Sequence, residues 1–383
     1  MSRSFFIRGG VALVVLSLAG FGGWMLSLPA ATVAAEAPPV PQAETDAMLA
    51  SLAPAKRERP LVAVIGLNDA TETTDYLMPT GILRRADVAD VIMLATGPGR
   101  VQLYPALEVE PDAAVAQFDA AHPEGADYVI VPAMSRDDDP AVAAWLRSQA
   151  GKGATIIGIC AGAKVVAAAG LLDGKRATTH WYYRGEMLKR SPTIRYVEDR
   201  RLVSDGGVVT TTGITASMPM MLTLIEAIAG RARAEAVARD LGVEQWSARH
   251  ASAAFRLTRP FAATVLANRM AFWNREELGI RLAPGMDEVS LALAADAWSR
   301  TYRSSVTTFA ASPEAVETMN GVRVVPDRPA AGWPEGRSVP TFPDRRPADA
   351  LDRTLDAITA RYGVRTTDVV AMQLEYPRQT ADR

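Results

Sequence analysis

Only one cysteine, Cys160, stands in 383 residues, so no disulfide can close within the chain and any thiol chemistry falls to that residue alone. Histidine is nearly as scarce, with three: His122, His180 and His250. No cluster of His, Cys, Asp and Glu has metal-ligand spacing, and no glycine-rich phosphate loop leads into a helix. The expectation is therefore no metal and no cofactor. An excess of one charge is missing too: 41 Lys and Arg against 43 Asp and Glu leave a net charge of −2, with no electrostatic pull toward nucleic acid. What the chain does have is apolar bulk, 49% of its residues, enough for one large domain or two smaller ones.

The lone thiol sits in the stretch Gly151 to Trp181. Ala154 to Ile159 is an apolar, β-branched run of buried-strand type, and Ala161 to Ala169 is rich in helix formers. Cys160 lies at their junction, in Gly158-Ile159-Cys160-Ala161-Gly162, a G-x-C-x-G form of the nucleophile elbow. A helix starting there aims its N-terminal N–H groups at the sulfur, which predicts a thiolate nucleophile rather than an inert buried thiol. His180, followed by Trp181, is either a partner of the thiol or a hydrogen-bonded histidine at a strand end. His122 and His250 read as structural or surface residues.

Before this stretch, Arg3 and Arg8 precede an uncharged run from Gly9 to Ala35, a membrane-targeting pattern whose basic end stays in the cytoplasm. It predicts residues 1–35 as an inner-membrane anchor with the body in the periplasm, or a cleaved leader for the same compartment. Residues 36–60, rich in Ala, Pro and charge, read as a tether. A fold begins at Leu61, with strands at Leu61 to Leu67, Val91 to Ala95 and Tyr128 to Pro132 and a helix at Pro79 to Ala86. Strands alternating with helices predict an α/β domain over 61–241, a parallel sheet covered on both faces with its ligand site at the carboxyl ends of the strands.

After the elbow helix comes Gly170-Leu171-Leu172-Asp173-Gly174 and then Ala177-Thr178-Thr179-His180-Trp181. These residues resemble the ThiJ/PfpI superfamily of class I glutamine-amidotransferase-like domains, and especially its AraC-regulator-fused and isonitrile-hydratase-like branch. The resemblance spans Leu61 to Leu241 and implies a flavodoxin-like fold. It implies a cysteine-dependent hydrolase or hydratase acting on a small molecule, or a non-catalytic binding or redox-sensing domain using the same pocket. It further implies an acidic residue four positions before a proline, which is Asp75 before Pro79, in contact with Cys160. Glu72 matches a second acidic position, though it also reads as a helix-start charge. His180, 20 positions after Cys160, matches the histidine beside the elbow. The N–H groups of Ala161 and of the turn at Ala133 would hold a developing oxyanion. Two departures stand out: Ala133-Met134 replaces a Gly-Gly pair, and Pro219 replaces an aspartate in the T-x-G-x-x-A-x-x-D-x-x-L pattern beginning at Thr211.

Nothing after Leu241 looks like the helix-turn-helix units of the regulator branch. Sliding the sequence against itself by 215 positions pairs Val91 to Asp112 with Val306 to Asp327, so residues 276–327 read as a partial second copy lacking the elbow. Ser290 then stands opposite Asp75 and Ala294 opposite Pro79. Strands at 305–310 and 322–325 and a helix at 289–298 follow. Residues 328–347 read as an extended loop, Ala348 to Tyr362 as a helix and Asp368 to Leu374 as a strand, completing an α/β region over 242–383. Relatives of the first domain associate as dimers, so the chain is expected to form a homodimer or to use the second copy as an internal partner.

Overall fold

Leu61–Gly66, read above as the first strand, forms β1 with all six residues buried. It belongs to a computed structural model that describes residues 16–30 and 36–377. β2 (Asp90–Ala95) and β5 (Tyr128–Val131) flank β1, and the order β2-β1-β5-β6-β8 continues through β6 (Thr155–Gly158) and β8 (Val208–Thr211), every pairing parallel. This is the doubly wound order of flavodoxin-like domains, with the first strand between the second and third. β7 (Leu202–Asp205) runs antiparallel along β8 at one edge, and β4 (Ala113–Ala114) pairs with β2 at the other. Continuous apolar strands are needed because both faces of the sheet are covered, and buried side chains fill a separate core on each.

The helix expected from Pro79 begins earlier. α1 (Thr73–Ala86) carries Pro79 inside it, and the Glu72 carboxylate caps its first turn by accepting the Asp75 N–H. Asp75 is therefore a buried first-turn residue rather than a loop residue. The segment read as a tether is also structured. A helix, Gln42–Ser51, docks with Met48 and Leu52 buried, the Tyr128 hydroxyl donates to the Leu52 carbonyl, and Arg57 pairs with Asp127 at 2.6 Å.

Beyond residue 270 the fold repeats its opening half. From Leu61 to Glu276 is 215 positions, and the same offset carries β1 onto β9 (Glu276–Arg281), β3 (Glu108–Glu110) onto β11 (Arg323–Val325) and β4 onto β12 (Arg328–Pro329). It also carries the start of α1 onto that of α4 (Glu288–Ser299), and β2 onto β10 (Ser304–Ala310) to within one residue. The two halves meet about a pseudo-two-fold axis. β3 pairs antiparallel with β11, Val109 facing its own counterpart Val324, and α1 packs on α4. Asp287 caps Ser290 in α4 as Glu72 caps Asp75 in α1.

Two helices end the described chain, α5 (Pro347–Tyr362) and α6 (Val364–Leu374). The strand expected at Asp368 to Leu374 is thus helical. The buried residues of α6, Thr366, Thr367, Val369, Val370, Ala371 and Leu374, recur at three- and four-residue intervals, a helix stripe that a short apolar run does not disclose. At the other end, residues 16–27 are helical with Leu16, Leu18 and Leu26 exposed. Among the described residues no helix is long and apolar enough to cross a membrane. Arg3, Arg8, residues 9–15 and residues 31–35 of the expected anchor lie outside the described residues.

Candidate active site around Cys160

β6 ends at Gly158 and α2 (Gly162–Ala168) starts four residues later, so the chain reverses within Ile159-Cys160-Ala161. The turn forces Cys160 to φ 55°, a left-handed conformation that a residue with a side chain holds only when its surroundings impose it. Two contacts do so: the Cys160 N–H donates to Thr211 Oγ1 at 3.0 Å, and Thr179 Oγ1 donates to the Cys160 carbonyl at 3.1 Å. Gly162 is required for packing, since a Cβ there would stand 2.0 Å from the Val131 carbonyl oxygen. The threonines of the ATTHW and T-x-G segments thus hold the elbow's backbone.

Asp75 lies beside the thiol. Its Oδ2 accepts the Ala133 N–H at 3.0 Å, while Oδ1 is buried with no hydrogen-bond partner, and the Cys160 thiol lies near enough to draw this carboxyl's pKa down. Burial pushes the Asp75 pKa up to about 7, opposed by the Ala133 N–H and the Arg300 charge. The thiol is displaced in the direction opposite to that expected from the helix N-terminus. Burial first, then the charges of Asp75, Glu72 and Glu375, push Cys160 well above the ordinary thiol range, and the Ala161 N–H donated to it offsets only a part. In this closed state Cys160 is a protonated thiol beside a carboxyl poised near neutrality.

The other expected positions are each held by partners of their own. His180 is buried, but Nδ1 accepts the Tyr182 N–H at 3.2 Å, so Nε2 carries the proton and donates to the Gln373 carbonyl at 2.9 Å. Neither nitrogen is left for the thiol. The Ala133 N–H is donated to Asp75, and the Ala161 N–H lies near enough to the sulfur to draw its pKa down. Ala133 has no positive φ, so the turn does not need the glycines it lacks. Glu72 caps α1 and accepts from Arg300 at 2.8 Å, a bonded structural role.

Sequence reasoning missed the groups that come from the C-terminal region. Arg300, just past α4, bridges Glu72 and Asp296, the latter at 2.6 Å. It is the 215-offset counterpart of Arg85, which pairs with Asp287, the counterpart of Glu72. The repeat could have revealed this crossed pair of salt bridges. Gln373 and Glu375, at the end of α6, cover the site from above, and no local pattern marks them. With that cover Cys160 is 4% exposed. A cavity of about 460 Å³ lies alongside, lined by Thr179, Trp181, His250 and Glu375 among others but not by Cys160. Among the described residues no three His, Cys, Asp or Glu side chains are grouped to hold a metal ion.

The profile of the DJ-1/PfpI family matches residues 62–227, the span that carries the sheet, Asp75 and the elbow. Residues 62–227 are a DJ-1/PfpI family domain. Protein dj-1beta of Drosophila melanogaster is 26% identical over 184 residues, 47% of this chain and 95% of that one. Isonitrile hydratase of Pseudomonas putida is 40% identical over 98 residues, 25% of this chain and 41% of its own length. The HTH-type transcriptional regulator CdhR of Pseudomonas aeruginosa is 41% identical over 86 residues, 22% and 25% of the two chains. A second half-copy of the fold follows the DJ-1/PfpI family domain and lies against it.

Proposed function

We propose that the chain is a cysteine-dependent hydratase or hydrolase for a small uncharged electrophile, with isonitriles the first class to test. The observation that carries this reading is Asp75, a buried carboxyl beside the chain's only thiol with one oxygen unpartnered and a pKa that burial pushes up to about 7. At neutral pH such a group can take the thiol proton and return it, which a thiol displaced upward by burial needs in order to attack. The identity to isonitrile hydratase supports the choice of substrate class. With an isonitrile, sulfur bonds to the terminal carbon while Asp75 passes the thiol proton to that same carbon, giving a thioimidate. Water then adds to the imidate carbon, its proton going to nitrogen, and the C–S bond breaks to release the N-substituted formamide and the free thiol. His180 acts as a positioning residue, tying the ATTHW loop to α6.

Purified chain should turn over a simple alkyl isonitrile, Cys160→Ser should abolish turnover, and Asp75→Asn should lower kcat about 10²- to 10⁴-fold. Because the base form of Asp75 is required, kcat/KM should climb as pH rises through about 7 and then level off. A flat pH profile, or an Asp75→Asn variant of full activity, would remove Asp75 from the mechanism. Asp75 beside the thiol, a carboxyl able to hydrogen-bond a sulfinate, favours one other reading, a redox-sensing domain. Absence of any turnover, together with conversion of Cys160 to sulfinic acid by mild peroxide before any methionine is oxidised, would favour it.

We also propose that the N-terminal segment tethers the body to the inner membrane, outside the cytoplasm. Supporting this are Arg3 and Arg8 ahead of the apolar run and the exposed Leu16, Leu18, Phe21, Trp24 and Leu26. Phe272 and Trp273, at 67% and 71% exposure, add apolar surface just after the helix Arg259–Met270, whose Arg259 holds the carbonyls of Leu26 and Leu28. Protease added to spheroplasts should digest the protein, and protection would overturn the orientation.

A further inference from the structure

The chain places one of its own carboxylates in a two-donor site beside the thiol. Glu375 follows α6 in a left-handed conformation, φ 52°, and turns its side chain inward to 3% exposure. One oxygen accepts the Trp181 N–H at 2.6 Å and the other the Gly213 N–H at 2.7 Å, with His250 Nε2 3.7 Å from the second. The two donors come from different loops, one after ATTH and one in the T-x-G turn. A Cβ at residue 213 would stand 2.7 Å from Glu375 Cγ, so only glycine leaves room for a carboxylate there.

The 460 Å³ cavity opens against this site. Glu375 and Thr179 form part of its wall, and Thr179 is the residue whose hydroxyl holds the Cys160 carbonyl, so cavity and thiol site meet there. Trp181, Tyr182, Tyr196 and Phe255 supply broad apolar faces, and the His250 ring stacks on Phe255 at 5.2 Å and 5°. The other carboxylates in the lining are already engaged: Glu198 pairs with Arg184 at 3.2 Å, and Asp199 accepts the Ser252 N–H at 2.8 Å. What the cavity offers a ligand is an aromatic enclosure with a carboxylate receptor at one end, and that receptor is filled by Glu375.

We propose that this cavity binds a small carboxylate with an aromatic or apolar body, whose carboxylate takes the place of Glu375 on the Trp181 and Gly213 N–H groups and opens the way to Cys160. The chemistry follows from the donors. If Glu375 leaves, two fixed buried N–H groups lose their acceptors, and a ligand with two oxygens at carboxylate spacing satisfies both at once, whereas a neutral amide satisfies one. Glu375 is tethered beside the site and competes at high effective concentration, so the native chain binds weakly and the gate is normally closed.

The test uses the full chain in mild detergent, with phenylacetate as probe and phenylacetamide as its neutral counterpart. Glu375→Ala should bind phenylacetate about tenfold or more tighter than the native chain, because the tethered competitor is gone, and should not bind the amide. Adding Cys160→Ser should leave that affinity unchanged, so failure of the catalytic reading would not imitate failure of this one. A folded Glu375→Ala with native affinity for phenylacetate, or with equal affinity for the amide, overturns the proposal. Should Glu375→Ala not fold, Gly213→Ala carries the test, since its methyl group displaces the Glu375 side chain and fills the receptor. Iodoacetamide should then alkylate Cys160 faster than in the native chain, with no phenylacetate binding, and a native alkylation rate overturns the gate.

Discussion

Ending the chain at Leu241 should yield a domain that aggregates or pairs with a second copy of itself, as read by size-exclusion chromatography with light scattering. The cut removes α4 from α1 and β11 from β3, and the buried side chains of both halves belong to one continuous core that includes Met78, Ile82, Val109, Leu291 and Val324. Removing one side exposes an apolar helix face and an open strand edge, the two features most apt to recruit another chain. The pseudo-two-fold sets the form of a replacement dimer. Val109 already faces its own counterpart, so β3 can pair with β3 of a second molecule in the same register. A truncated domain that stays monomeric and as stable as the full chain would show that the C-terminal region is an independent module.

Replacing Arg300 with Ala should cost about 3–5 kcal/mol in urea denaturation, the scale for removing one partner of a buried ion pair. Its partners Glu72 and Asp296 are 3% and 0% exposed, and Arg300 itself only 20%. Burial and the neighbouring carboxylates Asp75 and Asp296 already hold Glu72 above its ordinary range, with Arg300 opposing them. Without the cation Glu72 and Asp75 are raised further in the folded state. A group raised above its unfolded pKa contributes stability that is complete below the unfolded value and is lost as pH rises through the folded one. The deficit of Arg300→Ala should therefore be larger at pH 8 than at pH 5, and Glu72→Gln added to it should recover a part. A loss below about 1 kcal/mol, or one independent of pH, would mean that the pair is solvated like a surface bridge.

Several features of the site were legible in the sequence because they depend on neighbours in the chain. The apolar run Ala154 to Ile159 and the small residues about Cys160 each mark a local requirement, a buried strand and a strained turn, whereas the acid four positions before Pro79 was marked by the family resemblance and its place in the first turn of α1 was not. The offset of 215 was legible for the same reason, since β9, α4, β10 and β11 keep the period and spacing of β1, α1, β2 and β3. Where periodicity is short it misled. Asp368 to Leu374 is apolar enough for a strand, and only the three- and four-residue recurrence of its buried side chains against α5 makes it a helix.

By itself, then, the sequence determined the parallel α/β class and the position of the elbow, consequences of hydrophobic period and turn chemistry, while Asp75 was singled out by the family resemblance. Tertiary structure alone decided the charge state and access of Asp75 and Cys160. His180 faces Gln373, Glu72 meets Arg300, and Glu375 sits on the N–H groups of Trp181 and Gly213, contacts that join residues roughly 160 to 230 positions apart. Such contacts leave no local pattern. Burial and charge act through space, so a thiol that helix position alone would make acidic is held protonated by the carboxylates and the cover folded around it.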